Sequence, residues 1–402
     1  MDKEKKIIGL HRNVFFLGLV SFFNDASNQL IQSVMPAYFS TVLGIPPFFV
    51  GLIEGASDAI SSFARVFSGW FSDKIKRRKL PSIFGYALSV ATRPFFTIIS
   101  GFNDAFLLRM VDRAGKGFRE PPRDALIVES VEKKDLGVSF GFQRAMDAAG
   151  SLIGPLLAIW FVKLYDGDYQ RFFVFSFWLG LFAVLTYVLV KEKRDSSESE
   201  GIVAEELDFR LIKRNKELLL FVASAFIFGL GELPIALMLL RPIEIGIGTL
   251  NVPLMYFLYG LAFTLAAIPF GKWSSKVGER IVIVIGFLAA IVAYSVLAAT
   301  ASFWPTIVAF ALYGLYPAAA EGARKILIAK LVEPQLLATG QGLLQTAIGV
   351  SSLFAGVIGG ALWTKFGAQT AFVYGATMSF TGLFVFSLVS FNNFFRKIRR
   401  PA

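Results

Sequence analysis

Residues 109–130, RMVDRAGKGFREPPRDALIVES, form a charged stretch within a chain that is 55% hydrophobic and has a mean hydropathy of +0.61. Read as a helix, the stretch places Asp112 or Arg113, Lys116, Arg119 or Glu120, and Arg123 or Asp124 at three- and four-residue spacing on one face. With 43 phenylalanines among 402 residues, the surrounding chain is too apolar for a soluble fold of this length. Ionisable groups facing lipid cost roughly 3 kcal/mol or more each, so this stripe must line water or other protein, which marks it as part of a transport path.

The rest of the sequence supplies the walls of such a path. A helix needs about twenty apolar residues to cross the hydrocarbon layer, and roughly twelve segments meet this requirement. Helices satisfy their own backbone hydrogen bonds in lipid, so an all-α membrane protein is expected. The polar stretch 191–216 divides residues 1–190 from residues 217–402. It begins as a flexible charged linker, and residues 202–216 read as an amphipathic surface helix.

The net charge of +11 does not indicate nucleic acid, because no nucleic-acid motif accompanies it. Lys and Arg instead concentrate in alternate loops, roughly twenty-seven on one side against about four on the other. This bias predicts a multi-pass protein of the cell membrane with both termini cytoplasmic, and a cell inner membrane is the expected location. The clusters Lys74 to Lys79 and Arg396 to Arg400 are placed to touch anionic membrane lipids. The start of the chain reads as a retained first span rather than a cleaved signal. Cysteine is absent, which excludes disulfides and thiolate chemistry. No Gly-x-x-x-x-Gly-Lys-(Ser/Thr) motif, metal cluster or nucleophile–base pair is visible. No enzyme, cofactor or metal is therefore expected, and any work must draw on a gradient. His11, the single histidine, lies at the membrane edge.

Taken in order, the first span, about 12–40, carries Asn24, Asp25, Asn28, Gln29 and Gln32 near mid-depth, with positions 25, 28, 29 and 32 on one face. The second, about 47–72, carries Glu54, Asp58 and Arg65. It ends in Gly69-Trp-Phe-Ser-Asp73-Lys74-Ile-Lys76-Arg77-Arg78. This loop resembles the major facilitator superfamily pattern Gly-x-x-x-Asp-(Arg/Lys)-x-Gly-(Arg/Lys)-Arg, with Lys76 in place of the second glycine. The third span, about 80–101, is apolar apart from Arg93 and Pro94. In the fourth, Arg113-x-x-x-Gly117 is similar to the family's fourth-span motif, with Lys116 at a position that often holds glutamine. The fifth, about 137–164, has Gly141, Gly150 and Gly154-Pro155 at the spacing that marks the family's antiporters, although Ala158 and Ile159 replace the closing glycine pair. It also carries Arg144 and Asp147. The sixth spans about 170–190.

The second half echoes the first. Gly271-x-x-x-Ser275-Lys276-x-Gly278-Glu279-Arg280 mirrors the loop at Gly69. Arg324, Leu327, Ile328, Glu333 and Gly342 lie at one fixed offset from Arg123, Leu126, Ile127, Glu132 and Gly141. The resemblance therefore covers the whole chain and implies twelve transmembrane helices in two pseudo-symmetric six-helix bundles that rock to give alternating access. Within the second-half spans only Glu232, Glu321 and Arg324 are clearly ionisable.

Asp25, Asp58, Glu54, Asp147 and Arg113 are the candidates for proton coupling. Burial favours a neutral carboxyl and a nearby guanidinium favours the anion, so moving Arg113 relative to Asp25 would capture or release a proton. The alternative for this pair is a structural ion pair. Asn28, Gln29, Gln32, Lys116, Arg119, Arg123, Arg144 and Glu232 are candidates for substrate contact. The four basic residues in this set have Glu120, Asp124 and Asp147 available as internal partners. By resemblance, Gly69, Asp73, Lys74, Arg77 and Arg78 form a gate, and Gly141, Gly150, Gly154 and Pro155 control an antiport cycle. The expected partners are a small-molecule substrate, protons or another coupling ion, and lipids, with the protein acting as a monomer. The favoured function is proton-linked export. Its rivals are uptake or exchange of an organic or phosphorylated anion, and a lipid-handling or sensor role on the same scaffold.

Overall fold

The computed structural model describes residues 6–165, 167–192, 215–333 and 336–398. The expected surface helix at 202–216 therefore lies almost wholly outside the described residues. A short antiparallel hairpin, β1 (Lys6–Ile7) and β2 (Leu10–His11), precedes the helices and pairs Lys6 with His11 and Ile7 with Leu10.

Twelve long helices follow among the described residues. The first six are α1 (Arg12–Ala37, continued by a π-helical turn Tyr38–Val42), α2 (Pro47–Ile75), α3 (Lys79–Phe95), α4 (Phe102–Ser130), α5 (Leu136–Tyr165) and α6 (Tyr169–Val188). The second six are α7 (Lys216–Leu230), α8 (Val252–Val277), α9 (Glu279–Ala299), α10 (Phe303–Leu331), α11 (Leu337–Phe366) and α12 (Ala368–Ile398). Span seven is discontinuous. After α7 the chain breaks at Gly231-Glu232-Leu233-Pro234 and resumes as a single turn, Ile235–Met238.

Eight spans, α5, α6, the stretch Lys216–Met238 that begins with α7, and α8 to α12, are long and apolar enough to cross a membrane by length and composition alone. The other four, α1 to α4, fall short because they hold the polar residues singled out above, and because α3 has only 17 residues. The third span thus stops at Phe95, before the expected Gly101. Beyond it, Thr97 and Ile98 donate their N–H groups to Pro94 and Phe95 as the helix unwinds into turns.

The fold packs as two compact units. One comprises Met1–Ile45, Ala56–Ser199 and Gly248–Phe257, and the other Pro46–Gly55, Glu200–Ile247 and Leu258–Ala402. In the first, Val14, Leu17 and Val20 of α1 share a buried cluster with Tyr86 of α3, Leu126 and Ile127 of α4, and Ala183 and Tyr187 of α6. Helix α5 approaches α1 closely enough that a Cβ at Gly150 would lie 2.4 Å from the carbonyl oxygen of Phe22, and one at Gly154 would lie 2.6 Å from that of Ala26. Without a hydrophobic driving force between helices in lipid, such close backbone packing is what holds them together. In the second unit, α9 packs along α10 and α12, and α7 lies against α11 and α12.

Candidate functional site

The charged stripe of α4 is buried within the first unit, and its partners come from α1, α2, α3 and α5. Arg109, 1% exposed, pairs with Asp112 at 3.3 Å and donates from Nη2 to Oε1 of Gln32 on α1 at 2.9 Å. Ser89 of α3 donates its hydroxyl to Asp112. Two turns further on, Glu120 accepts from Nε of Arg65 on α2 at 2.7 Å. Arg119 is buried with its guanidinium 4.7 Å from the ring centre of Tyr86, a cation–π contact.

Arg123 ties α4 to α1 and α5. It pairs with Asp124 at 2.9 Å, donates to Oγ of Ser21 at 3.2 Å, and lies 3.9 Å from Asp147. Gln143 of α5 donates to Asp147 at 3.2 Å and also to Ser21. The acidic residues available to the stripe are therefore only partly spent on its basic ones, since Glu120 is taken by Arg65. Lys116 and Arg144 form no ion pair among the described residues, and Arg144 lies on an exposed face.

Asp25 is partly buried on α1, where its Oδ1 accepts from the amide of Asn24 at 3.0 Å. The charges that act on it most are Asp147, Arg119, Lys116 and Arg123. The expected ion pair with Arg113 is not formed, and Asp25 has no ion pair among the described residues. Arg113 is 4% exposed and shares its face with Gly117, four residues on, where a Cβ would lie 2.2 Å from the carbonyl of Ser61 on α2. At Gly117, therefore, α4 packs directly against α2.

The remaining candidates on α1 and α2 are placed as follows. Asn28 is buried, and Gln29 accepts from the hydroxyl of Tyr256 at 2.6 Å. Gln32 is occupied by Arg109. Glu54 is buried and Asp58 is exposed. Sequence reasoning missed Arg109, Gln143 and Tyr256. Gln143 stands one turn before Asp147 and could have been found by that spacing; the tyrosine, in an apolar span, gave no signal.

At the end of the first unit that carries the loop motif, Arg78 caps α3 and joins four elements. Its side chain pairs with Asp73, lies 3.0 Å from Oε1 of Glu129 on α4, and donates to Ser72 at 2.8 Å. Its backbone N–H, with that of Lys79 at 3.1 Å, donates to Glu192 beyond α6. Burial pulls the guanidinium down, but its bonds to Glu129 and Asp73 outweigh this and hold it above the ordinary arginine range. Lys74 sits 5.0 Å from the ring centre of Trp70, and Arg77 is exposed. Glu129 and Glu192 were not legible as partners, because nothing in their spacing links them to the loop. Gly69 is loosely packed, with Pro121 3.8 Å from its would-be Cβ, and Gly141 has nothing within 4 Å. Of the four glycines expected to gate or control the cycle, Gly150 and Gly154, the latter followed by Pro155, are the close contacts.

Lys76, the departure from the loop pattern, has φ +50°, and Gly278, its counterpart in the second half, has φ +95°. The left-handed conformation costs an L-residue roughly 1–2 kcal/mol, so the pattern's glycine is a backbone requirement that Lys76 meets under strain. Lys76→Gly is expected to raise stability by about 0.5–1 kcal/mol after the entropy of the unfolded glycine is counted. Thermal melting in detergent checks this; an unchanged or lower midpoint would count against the strain.

In the second unit, Glu232 stands at the break in span seven, where Oε2 accepts from the hydroxyl of Tyr316 on α10 at 2.8 Å. Arg324 donates to that same hydroxyl at 2.8 Å. Glu321 is exposed.

The chain is similar to known transporters over nearly its whole length. It is 32% identical to an uncharacterized MFS-type transporter of Methanocaldococcus jannaschii over 92% of this chain and 93% of that one. It is 24% identical to the multi-drug resistance efflux pump PmrA of Streptococcus pneumoniae, over 68% of this chain and 70% of the relative. The crystal structure of the nucleoside transporter NupG superposes with a TM-score of 0.80 at 16% identity, covering 94% of this chain and 99% of that one, a likeness of fold. The sequence profile of the Major Facilitator Superfamily matches residues 17–256 and 241–399. Its twelve helices, its loop motif and these matches lead to one conclusion: the chain is a membrane transporter that belongs to the Major Facilitator Superfamily.

Proposed function

We propose that the protein exports a small molecule in exchange for protons by alternating access, as a monomer in a cell membrane with both termini cytoplasmic. The bundles 1–190 and 217–402, joined by the linker 191–216, are the bodies that move. The observation that carries this reading is the state of Asp25, a partly buried carboxylate held by an amide and free of ion pairing among the described residues. A carboxylate in that setting is the group a proton neutralises most readily, whereas one locked to a guanidinium resists it. Asp147 faces it as a second acid already engaged with Arg123 and Gln143. Glu54 and Asp58 of α2 are the next carboxylates in line for the proton, with Arg113 as a charge whose movement would favour or disfavour it.

Export is supported by the multi-drug efflux pump among the relatives and by the tight α1–α5 contact at Gly150 and Gly154, where the antiporter pattern falls. In the first unit Asn28 and Gln29 are polar groups offered to the substrate, together with Arg119 and Arg123 of α4; in the second, Glu232 is a further candidate. A second reading, transport of an organic or phosphorylated anion, is favoured by Lys116, which forms no ion pair among the described residues and could meet a negative substrate group.

The gate follows from the Arg78 cluster. Asp73→Asn removes one of the charges that hold Arg78 and should slow interconversion of inward- and outward-facing states several-fold with little change in affinity. Distances between spin labels on the two halves would report this, and an unaltered exchange rate would remove Asp73 from the gate.

The reading is tested by reconstituting the protein in liposomes that enclose a pH-sensitive dye and imposing a proton gradient. Lipophilic cations are then offered beside organic and phosphorylated anions. Proton movement evoked by the cations supports efflux by antiport; movement evoked by the anions alone selects the second reading.

A further inference from the structure

The cluster around Glu232 in the second unit has the chemistry of a proton site, and the coupling described above does not use it. Its hydrogen bonds have a fixed direction. Arginine has no acceptor, so the Tyr316 oxygen must accept from Arg324, and the one proton of Tyr316 is then committed to Oε2 of Glu232. This order suits an ionised Glu232. Arg324 is 6% exposed, its Nε has no hydrogen-bond partner among the described residues, and its guanidinium carbon lies 5.3 Å, 5.4 Å and 5.8 Å from the rings of Phe287, Tyr316 and Phe228. The two carboxylates acting on it are Glu232, through Tyr316, and the exposed Glu321.

The backbone at this point is equally unusual. α7 ends at Leu230, and Glu232 sits between it and the single turn Ile235–Met238, at a break of the kind that marks ion and substrate sites in transporters. The break is fastened to α9 and α10 by further tyrosines. The N–H of Leu233 donates to Tyr294 at 2.9 Å, and Tyr294 donates to Tyr313 at 3.1 Å. The titratable neighbours include Tyr294 of α9 and Tyr313, Tyr316, Glu321 and Arg324 of α10, with Tyr259 of α8 acting on Tyr313. α11 carries only Lys365, in its last turn, and the described side chains of α12 only Tyr374.

We propose that Glu232 is a second proton-binding carboxylate, and that Tyr316 passes its charge state to Arg324 and so to α10. A proton taken from water by Glu232 converts the charge-assisted bond from Tyr316 into a neutral one. Arg324 cannot give up its own proton, so its buried charge then loses its inner counter-charge. The relief available is movement of Arg324 and α10 relative to the break. Protonation at Glu232 thereby becomes a mechanical signal in the second unit. Its part in transport rests on the proton-exchange reading, but binding of the proton itself does not.

The test is infrared difference spectroscopy of the purified protein in lipid nanodiscs between acidic and alkaline pH, read in the band of protonated carboxyl groups. Glu232→Gln is expected to lose one component of this band, and Asp25→Asn to keep that component. Tyr316→Phe is expected to keep it at a shifted frequency, since the hydroxyl donor is gone; this variant serves if Glu232→Gln does not fold. A Glu232→Gln spectrum that superposes on the wild type, or a component unmoved in Tyr316→Phe, overturns the proposal. Loss of a component in Asp25→Asn alone would leave the first-unit reading intact and refute this one.

Discussion

Asp25→Asn is expected to abolish uphill accumulation of substrate, bringing the concentration ratio across the membrane to unity, while binding stays within a few-fold of wild type. The substitution keeps the shape of the side chain and an oxygen to accept from Asn24, but it removes the group that a proton can neutralise. Asp147, Arg119, Lys116 and Arg123 remain around it, so the local packing has no reason to change. Coupling is a matter of a few kcal/mol. Each pKa unit gained or lost between two conformations is about 1.4 kcal/mol, and a charge crossing 100 mV gains about 2.3 kcal/mol, so a swing of two units suffices. Radiotracer accumulation in energised vesicles, compared with equilibrium binding to the purified protein, separates the two effects. Retained concentrative transport would remove Asp25 from the cycle and move the search to Asp58 and Glu54.

Gly154→Leu should be the most disruptive single change in the first unit. A Cβ there meets the Ala26 carbonyl at 2.6 Å, the Leu30 nitrogen at 2.7 Å and Cβ of Gln29 at 2.8 Å. Two of these are backbone atoms, which cannot step aside as a flexible side chain can. α5 must then separate from α1, at a cost of about 3 kcal/mol or more. The same replacement at Gly141, where nothing lies within 4 Å, is expected to cost less than about 0.5 kcal/mol. Melting of both variants in detergent checks the contrast. Equal midpoints would mean that the α1–α5 contact is not tight, and that the antiporter-like spacing has no packing basis in this chain.

The sequence carried the spans well because lipid demands long apolar helices, and the observed helices fall close to the segments read from hydropathy. The exception is instructive. α1, α2 and α4 hold the polar and charged groups singled out above and α3 is short, so these four lack the long apolar runs that the later spans have. The faces of α1 and α4 were also legible, since helical spacing alone puts Asp25 with Gln32, or Arg119 with Arg123, on one side. Spacing cannot say which neighbouring helix a face meets. Thus Glu120 serves Arg65, and Gln32 is taken by Arg109, the first residue of the charged stretch, to which spacing assigned no role. The gate shows the same division. Asp73 and Arg78 stand in a recognisable pattern, whereas Glu129 and Glu192 join them only through tertiary structure. Lys76 was legible as a mismatch to the pattern, but the left-handed backbone that makes the mismatch costly is seen only in the structure.

Exchange of protons for substrate is tested most directly by loading proteoliposomes with a transported cation found in the screen above, diluting them into cation-free buffer with no initial pH difference, and following the internal pH. The account predicts that the interior acidifies as the cation leaves, at a rate that falls with Asp25→Asn. Cation efflux at an undiminished rate, with no change of internal pH and no response to an uncoupler, would contradict it.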